Sequence, residues 1–359
     1  MKIIDWYIFK KFLGTFFYAI SLLIIIVIIF DISENIEDFL KNKAPIQEII
    51  IDYYIYFIPY FINLFIFLFT FISVIFFTSK MAGNTEIIAI LSSGVSFMRM
   101  LKPYLMASVL LGLISFYLGN FLIPRTNEVR REFKNKYIEN LAKDKERNIH
   151  VQIERGVFIY VENYNNKLNT AFKFTLEKYE DQQMTYKLLA ERIVFDTTSE
   201  SRWKIYNFVE RKIDSLSETL RKGKEIDTVI NLKPTDLYKI KEDYEVMNYW
   251  ELRDHISDEK LKGSKGVTTY EVEMHKRLAS PVAIIILTFI GVAVSSRKTR
   301  GGIGMHLGIG ISITFSYIIF MQFSTVFATF GNLAPALAAW IPNLIFAVLG
   351  VYLLMKAPK

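Results

Sequence analysis

One acidic residue inside an apolar helical pattern is the first place where this sequence could do chemistry. In "NTEIIAILSSGVSF", residues 84 to 97, Asn84 or Thr85 is placed to cap a helix and Glu86 falls in its first turn. Ile87, Ile88, Leu91, Val95 and Met98 then recur at helical spacing. A carboxylate there either complements the helix dipole or meets a cation on another surface. Elsewhere the chemical inventory is thin. No phosphate loop of the form GxxxxGKS/T occurs, since "GKEID" and "GSKG" lack its spacing, so this chain is not expected to hydrolyse nucleotides by that machinery. There is no HExxH, and His150, His255, His275 and His306 are scattered, so neither a metal site nor a catalytic residue is expected. Cysteine is absent, which removes disulfides and thiolate ligands.

The elements that must position Glu86 are long and apolar. The chain has 359 residues, 52% hydrophobic with 30 Phe and 20 Tyr, a mean hydropathy of +0.26, yet 22% charged residues, so apolar and charged residues are segregated. Six stretches meet the length of about 20 residues needed to cross a bilayer: 12 to 30, 53 to 79, 103 to 124, 278 to 296, 303 to 329 and 335 to 355. The first is too long for a signal core, and "DISENIED" after it offers no cleavage site, so it reads as a retained helix.

Charge gives the orientation. The N-terminus, the 80 to 102 loop, the 297 to 302 loop and the C-terminus together hold eleven Lys or Arg against Asp5 and Glu86, whereas the 31 to 52 loop holds two against six acids. The positive-inside rule then puts both termini and "NTEIIAILSSGVSF" in the cytoplasm. The net charge of +7 reflects this topology and carries no nucleic-acid inference.

Between spans three and four, "RTNEVRREFKNKYIEN" continues as a polar helix, and then the period changes from 3.6 to 2. "GVFIYVENYNNKLNTAFKFTLEKY" contains two alternating strands around an Asn-Asn turn, and "MTYKLLAERIVFD" and "SRWKIYNFVERKI" continue the pattern. "LKGSKGVTTYEVEM", with two glycines, returns the chain to the membrane. The fold class expected is an α-helical polytopic membrane protein with six spans and an inserted all-β, jelly-roll-like or sandwich domain outside the membrane. The boundaries read as residues 1 to 124 for spans one to three, 125 to 274 for the β-domain with its helical linkers, and 275 to 359 for spans four to six.

Ion-coupled transporters keep charged residues inside their spans, and here only His306 lies within one, near an end where an interfacial histidine is the plainer reading. If the protein moves something, another subunit supplies the energy. Gly304, Gly308, Ser312 and Ser316 fall at intervals of four along span five; such a small face serves internal packing, a subunit interface or a gate. Pro59 and Pro281 mark possible kinks. Phe172, Phe174 and Leu176 alternate along one strand, lining a closed core or a path for acyl chains.

Three local patterns carry a resemblance to a known family. They are Glu86, Ala89 and Gly94 in "TEIIAILSSG"; Glu273, His275, Arg277, Ala279 and Pro281 in "EMHKRLASP"; and the runs "SSRKTRGGIG" and "LAAWIPNLIF". In this order the chain resembles, over nearly its whole length, the lipopolysaccharide export permeases of LptF/LptG type, with the last two spans more like the G member. The resemblance implies a pair of such permeases with a cytoplasmic ATPase dimer that uses ATP and Mg, this chain binding no cofactor itself. It also implies extraction of lipopolysaccharide from the inner membrane and transfer through the β-domain, along Phe172, Phe174 and Leu176, to a periplasmic β-jelly-roll bridge protein. Residues 84 to 98 become the coupling helix, with Ile87, Ile90 and Leu91 inserted into the ATPase, Gly94 allowing close approach and Glu86 meeting a basic residue. His275, Arg277 and Pro281 mark the membrane entry of span four. The alternative for residues 84 to 98 is a helix lying flat on lipid, against which stands the lack of Lys or Arg from 84 to 98.

One departure stands out. Family members commonly present basic residues to lipid A phosphates near the outer end of span one, where this chain has Asp31 and Glu34. A partner subunit, a substrate with fewer phosphates or bridging divalent cations would each reconcile the two. From a different functional class, a membrane-anchored receptor or scaffold is the alternative, although one or two spans would suffice for it.

Overall fold

The computed structural model describes residues 3–138, 147–165, 168–181, 183–196, 202–214, 217–232, 234–237, 243–261, 266–299 and 301–357. Asn166 of the expected turn, Gly263 of the linker, and Lys2, Arg300 and Lys359 of the charge count lie outside these. The chain forms two compact units: residues 1–138, 245–252 and 268–359, and residues 139–244 and 253–267.

The first unit holds six helices long and apolar enough to cross a membrane: α1 (Ile3–Lys41), α2 (Ile46–Gly83), α4 (Phe97–Tyr137), α6 (Val267–Ser295), α7 (Gly302–Phe330) and α8 (Pro335–Met355). A short helix, α3 (Glu86–Ser92), joins α2 to α4. A further helix, α5 (Tyr249–Leu261), precedes α6. At 39 residues α1 is roughly 58 Å long, well beyond a hydrocarbon core of about 30 Å. It is held by one stripe, Ile8, Phe12, Phe16 and Ile20, at the i, i+4 spacing that stacks side chains on one face. Ala357 joins the same core cluster as Ile8 and Phe97, so both ends of the described chain lie at one end of the bundle.

Enclosure is uneven. The apolar window of α6 is 56% buried, whereas those of α1 and α7 are 17% and 22% buried. Helices cross at small residues. A Cβ on Gly291 of α6 would come 2.9 Å from Val74 of α2, and one on Gly310 of α7 would overlap Ile75 and come 3.0 Å from Phe71 on the same helix. On Gly112 of α4 it would come 3.2 Å from the Pro281 carbonyl oxygen. Proline shapes the other ends: π-helical turns at Ile49–Ile55 and Leu118–Leu122 precede Pro59 and Pro124. Such a widened turn re-satisfies carbonyls that a proline leaves without a donor.

The second unit holds β1 (Arg147–Glu154), β2 (Val157–Asn165), β3 (Thr170–Glu180), β4 (Gln183–Phe195), β5 (Arg202–Ile213) and β6 (Glu218–Val229). They pair antiparallel in sequential order, a meander, which settles for the described strands the connectivity that patterning leaves open. The expected six-span membrane protein with an inserted all-β domain is the observed architecture.

One face of this sheet is apolar, but its alternation breaks along a single row. Buried residues run 159, 161, then 164 in β2; 171, then 174 and 176 in β3; 188, 190, then 193 in β4; and 203, 205, then 208 in β5. At each break two successive residues face away from the core, and pairing aligns the breaks, with Asn163 opposite Phe172, Phe172 opposite Arg192 and Arg192 opposite Tyr206. Left-handed backbone at Lys173 (φ 52°) and Asn207 (φ 51°) switches the strand parity that faces inward. The row is polar: Lys173 pairs with Glu162, Asn207 donates to Glu191, and the Arg192 guanidinium lies 4.7 Å from the Tyr206 ring centroid. Below it, the cross-strand hydrogen bond from Lys187 holds the Glu177 carboxyl below the usual carboxylate range. Trp203 is wholly buried and donates its indole N–H to the Leu232 carbonyl at 2.9 Å, so its polar atom carries no penalty.

Candidate functional site

The short helix α3 is built by its two flanks. Thr85 precedes it with φ 61°, a left-handed conformation in which its side chain makes no cap bond, so neither Asn84 nor Thr85 caps the helix. Gly94 follows with φ 86° and donates its N–H to the Leu91 carbonyl at 3.0 Å. No atom outside its chain neighbours would touch a Cβ at Gly94, so glycine is needed within this chain for its backbone angle. Ser96 is then extended and its Oγ accepts from the Arg99 N–H at 3.3 Å, starting α4.

The faces of α3 differ from the sequence expectation. Ile87 is 1% exposed and belongs to the core cluster of Ile8, Met81, Phe97 and Leu101, with Ile90 and Leu91 half-buried against the same cluster. Ile87 therefore cannot enter a partner's groove without leaving its own core. The outward side consists of Ile88, 55% exposed, with Ala89, Ser92 and, past the helix, Met98. The expected period holds only to Ser92, since Gly94 turns the chain, Val95 lies past the helix and Met98 belongs to α4; within α3 both Ile87 and Ile88 fit the period, and only packing selects between them. The Glu86 carboxylate is engaged inside the chain, accepting from the Tyr7 hydroxyl at 3.1 Å and from Asn84 Nδ2 at 3.2 Å. Nearby, Arg99 grips Asp5 with two bonds of 2.8 and 2.6 Å.

The stripe on α7 faces outward. Gly304, Gly308, Ser312 and Ser316 are all exposed, and a Cβ on either glycine would meet nothing within 4 Å. The serine hydroxyls bond back to carbonyls of their own helix, Ser312 to Gly308 and Ser316 to Ser312. Gly308, Ser312 and Ser316 border a groove of about 460 Å³ completed by Ile309, Ile313, Phe346 and Leu349. Packing inside this protomer is done by Gly310 on another side of the helix. His306 is likewise inward: 2% exposed, with Nδ1 2.7 Å from the Ser79 hydroxyl and Nε2 3.3 Å from that of Thr299. His306, the fifth residue of α7 and so close to its end, is thus buried against neighbouring elements, with a hydroxyl beside each ring nitrogen.

At the start of span four, Arg277 is 9% exposed, donating Nε to Glu273 at 3.2 Å and Nη1 to the Met247 carbonyl at 2.7 Å. His275 is half-buried, and Pro281 lies against Gly112. Two residues that sequence reasoning passed over complete this region. The Tyr317 hydroxyl donates to Asn343 Oδ1 and Asn343 Nδ2 donates to the Ala279 carbonyl, both at 2.9 Å, tying α6, α7 and α8. Asn343 stands inside "LAAWIPNLIF", where an amide in an apolar run was the available signal.

At the opposite end, Asp31 is taken up by two tyrosines, Tyr53 at 3.2 Å and Tyr54 at 3.0 Å. Arg130 of α4 stacks 5.3 and 5.1 Å from the Phe57 and Tyr60 ring centroids, with Nη1 buried and without a hydrogen-bond partner among the described residues. In the sheet, Phe174 is fully buried and Leu176 nearly so, while Phe172 is 36% exposed. The expected alternation of all three is corrected: the break at Phe172 and Lys173 turns Phe172 away from the face that Phe174 and Leu176 occupy.

Compared with known families, residues 6–356 match the family described as the lipopolysaccharide export system permease LptF/LptG. A comparison with curated proteins returns no match.

The two α7 glycines should separate in their effects. Gly310→Leu is expected to destabilise the detergent-solubilised protein by about 1–3 kcal/mol or more through overpacking against Phe71 and Ile75, whereas Gly308→Leu leaves the melting temperature near that of the wild type. Thermal unfolding of both variants checks this, and equal losses would contradict the outward placement of the stripe.

Proposed function

This chain belongs to the LptF/LptG family of lipopolysaccharide export permeases, and from that premise we propose that it is the membrane subunit of an ATP-driven exporter that passes the glycolipid from the inner membrane to a periplasmic bridge protein. It is a transporter subunit rather than an enzyme. The observation that carries the assembly is the small-residue face of α7, exposed with an open groove beside it. Small residues let helix backbones approach closely in lipid, and among the described residues nothing comes within 4 Å of a Cβ on Gly304 or Gly308. A second permease of the family is the partner proposed for that face.

In this reading both termini and α3 are cytoplasmic, and the β-unit is periplasmic, as the basic ends of the chain support. A cytoplasmic ATPase dimer, which would bind the ATP and Mg, takes the outward side of α3: Ile88, Ala89 and Ser92, with Glu86 at the edge. This replaces Ile87 as the inserted residue, while Ile90 and Leu91 support the helix from behind. Arg277, satisfied by Glu273 and the Met247 carbonyl, anchors the entry of span four together with Pro281; His275 stands beside them. Two tyrosines already engage Asp31, so of the two acids at this mouth only Glu34 stands exposed to the substrate. Among the described residues Arg130, with one buried donor unpaired, is the cation proposed to meet a phosphate there once it turns from Phe57 and Tyr60.

Three outcomes test the reading. Site-specific crosslinking between α7 at position 312 and span one of the partner permease should succeed with Gly308 in place and be blocked by Gly308→Leu; crosslinks unaffected by the leucine would remove the proposed interface. For the coupling helix, burial of one isoleucine contributes about 2 kcal/mol, so Ile88→Glu should weaken ATPase retention more than tenfold in co-purification. Glu86→Arg should weaken it more than Glu86→Ala, and full retention by both Ile88→Glu and Glu86→Arg would exclude α3 as the docking element. For the β-unit, a photocrosslinker at 174 should capture lipopolysaccharide during ATP-driven export and one at 172 should not. Capture at neither position would return Phe174 and Leu176 to a closed core.

A further inference from the structure

The helix α1 is the least enclosed of the spans, and its apolar stripe can slide, since such contacts are numerous, individually weak and undirected. Its first two turns are held differently. Asp5, 7% exposed, receives two hydrogen bonds from the Arg99 guanidinium on the first turn of α4, and Tyr7 donates to Glu86 on the first turn of α3. A two-point guanidinium–carboxylate contact fixes orientation as well as distance, and a carboxylate this buried is costly to leave without its partner. The two contacts stand on either side of the turn that carries Gly94, so they bracket α3 and tie both of its flanks to one helix. A displacement of α3 therefore has a directed route into α1.

We infer that Asp5 and Arg99, with Tyr7 and Glu86 beside them, form a link that makes the start of α1 move as one body with the coupling helix, so that a push on α3 repositions span one. These are positioning residues that touch no substrate. The inference rests on the reading that an ATPase docks on α3, and it adds the route by which that docking would reach the helix with the most exposed length.

The test uses the whole complex reconstituted in proteoliposomes, reading lipopolysaccharide released per ATP hydrolysed. A wild-type complex that neither retains the ATPase nor exports would defeat the functional reading itself, before any variant is compared. Given a working wild type, Asp5→Asn and Arg99→Gln should keep ATPase co-purification and basal hydrolysis within about twofold, while release per ATP falls on the order of tenfold, the size of an ordinary coupling between two sites. The charge-swapped pair, Asp5→Arg with Arg99→Asp, should recover most of that loss. Unchanged release per ATP in both single variants, or a folded swap no better than either, would overturn the link.

Because the native chain has no cysteine, Asp5→Cys with Arg99→Cys gives a single thiol pair and a second measurement that does not depend on the polar variants folding. Bridging this pair with a short bifunctional thiol reagent should restore release per ATP to near wild type from a low unbridged value. Export abolished by the bridge would show that the two positions must separate during the cycle, contrary to the inference.

Discussion

Helices in a bilayer gain little by burying apolar surface against one another, because lipid tails are as apolar as leucine. What holds them is close packing, and here α6 and α7 both approach α2 where a glycine replaces a side chain, Gly291 against Val74 and Gly310 against Phe71 and Ile75. The same segment of α2 thus seats two helices, and α4 meets α6 where Gly112 faces Pro281. Of the two helices seated on α2, α6 is the most enclosed span, whereas α7 keeps most of its surface outward, as α1 does.

Polar groups reinforce the same crossings. Tyr317, Asn343 and the Ala279 carbonyl join three helices, Ser79 reaches His306 across α2 and α7, and Thr78 meets Tyr104 across α2 and α4. Each of these groups would be costly in hydrocarbon without its partner, so each fixes rotation and depth where apolar contact alone would permit slippage. Charged side chains are kept to the ends. Asp5 with Arg99 and Arg277 with Glu273 lie at helix beginnings, and Asp31 is held by tyrosine hydroxyls at the far end of α1.

The β-unit follows the opposite logic. Its cohesion comes from a continuous hydrogen-bonded meander and one apolar face, and the polar row through Lys173, Glu191 and Asn207 redirects that face partway along the strands. A sheet modified in this way keeps its pairing while aiming two sets of apolar residues inward from opposite strand parities. Phe174 and Leu176 belong to one set; Trp203 and Ile205 belong to the other.

Composition and periodicity alone determined six spans, β2 to β5 of the inserted sheet, and a short helix after span two, because a bilayer demands long apolar runs and a sheet demands alternation, and both are written locally; β1 and β6, the sheet edges, were not read from the pattern. The family motifs were legible for the same reason. Which of Ile87 and Ile88 faces outward, whether Gly308 or Gly310 packs internally, and that Phe172 leaves the face of Phe174 were decided only in three dimensions. A helix turns 100° per residue, so neighbouring apolar positions qualify equally for one stripe until another helix arrives to cover one of them. A strand's parity holds only while its backbone stays extended, and the left-handed residues Lys173 and Asn207 carry no local signature of the kind a glycine gives. Arg99 lies 94 residues from Asp5, Tyr53 22 from Asp31 and Ser79 227 from His306, distances over which spacing says nothing and packing says everything.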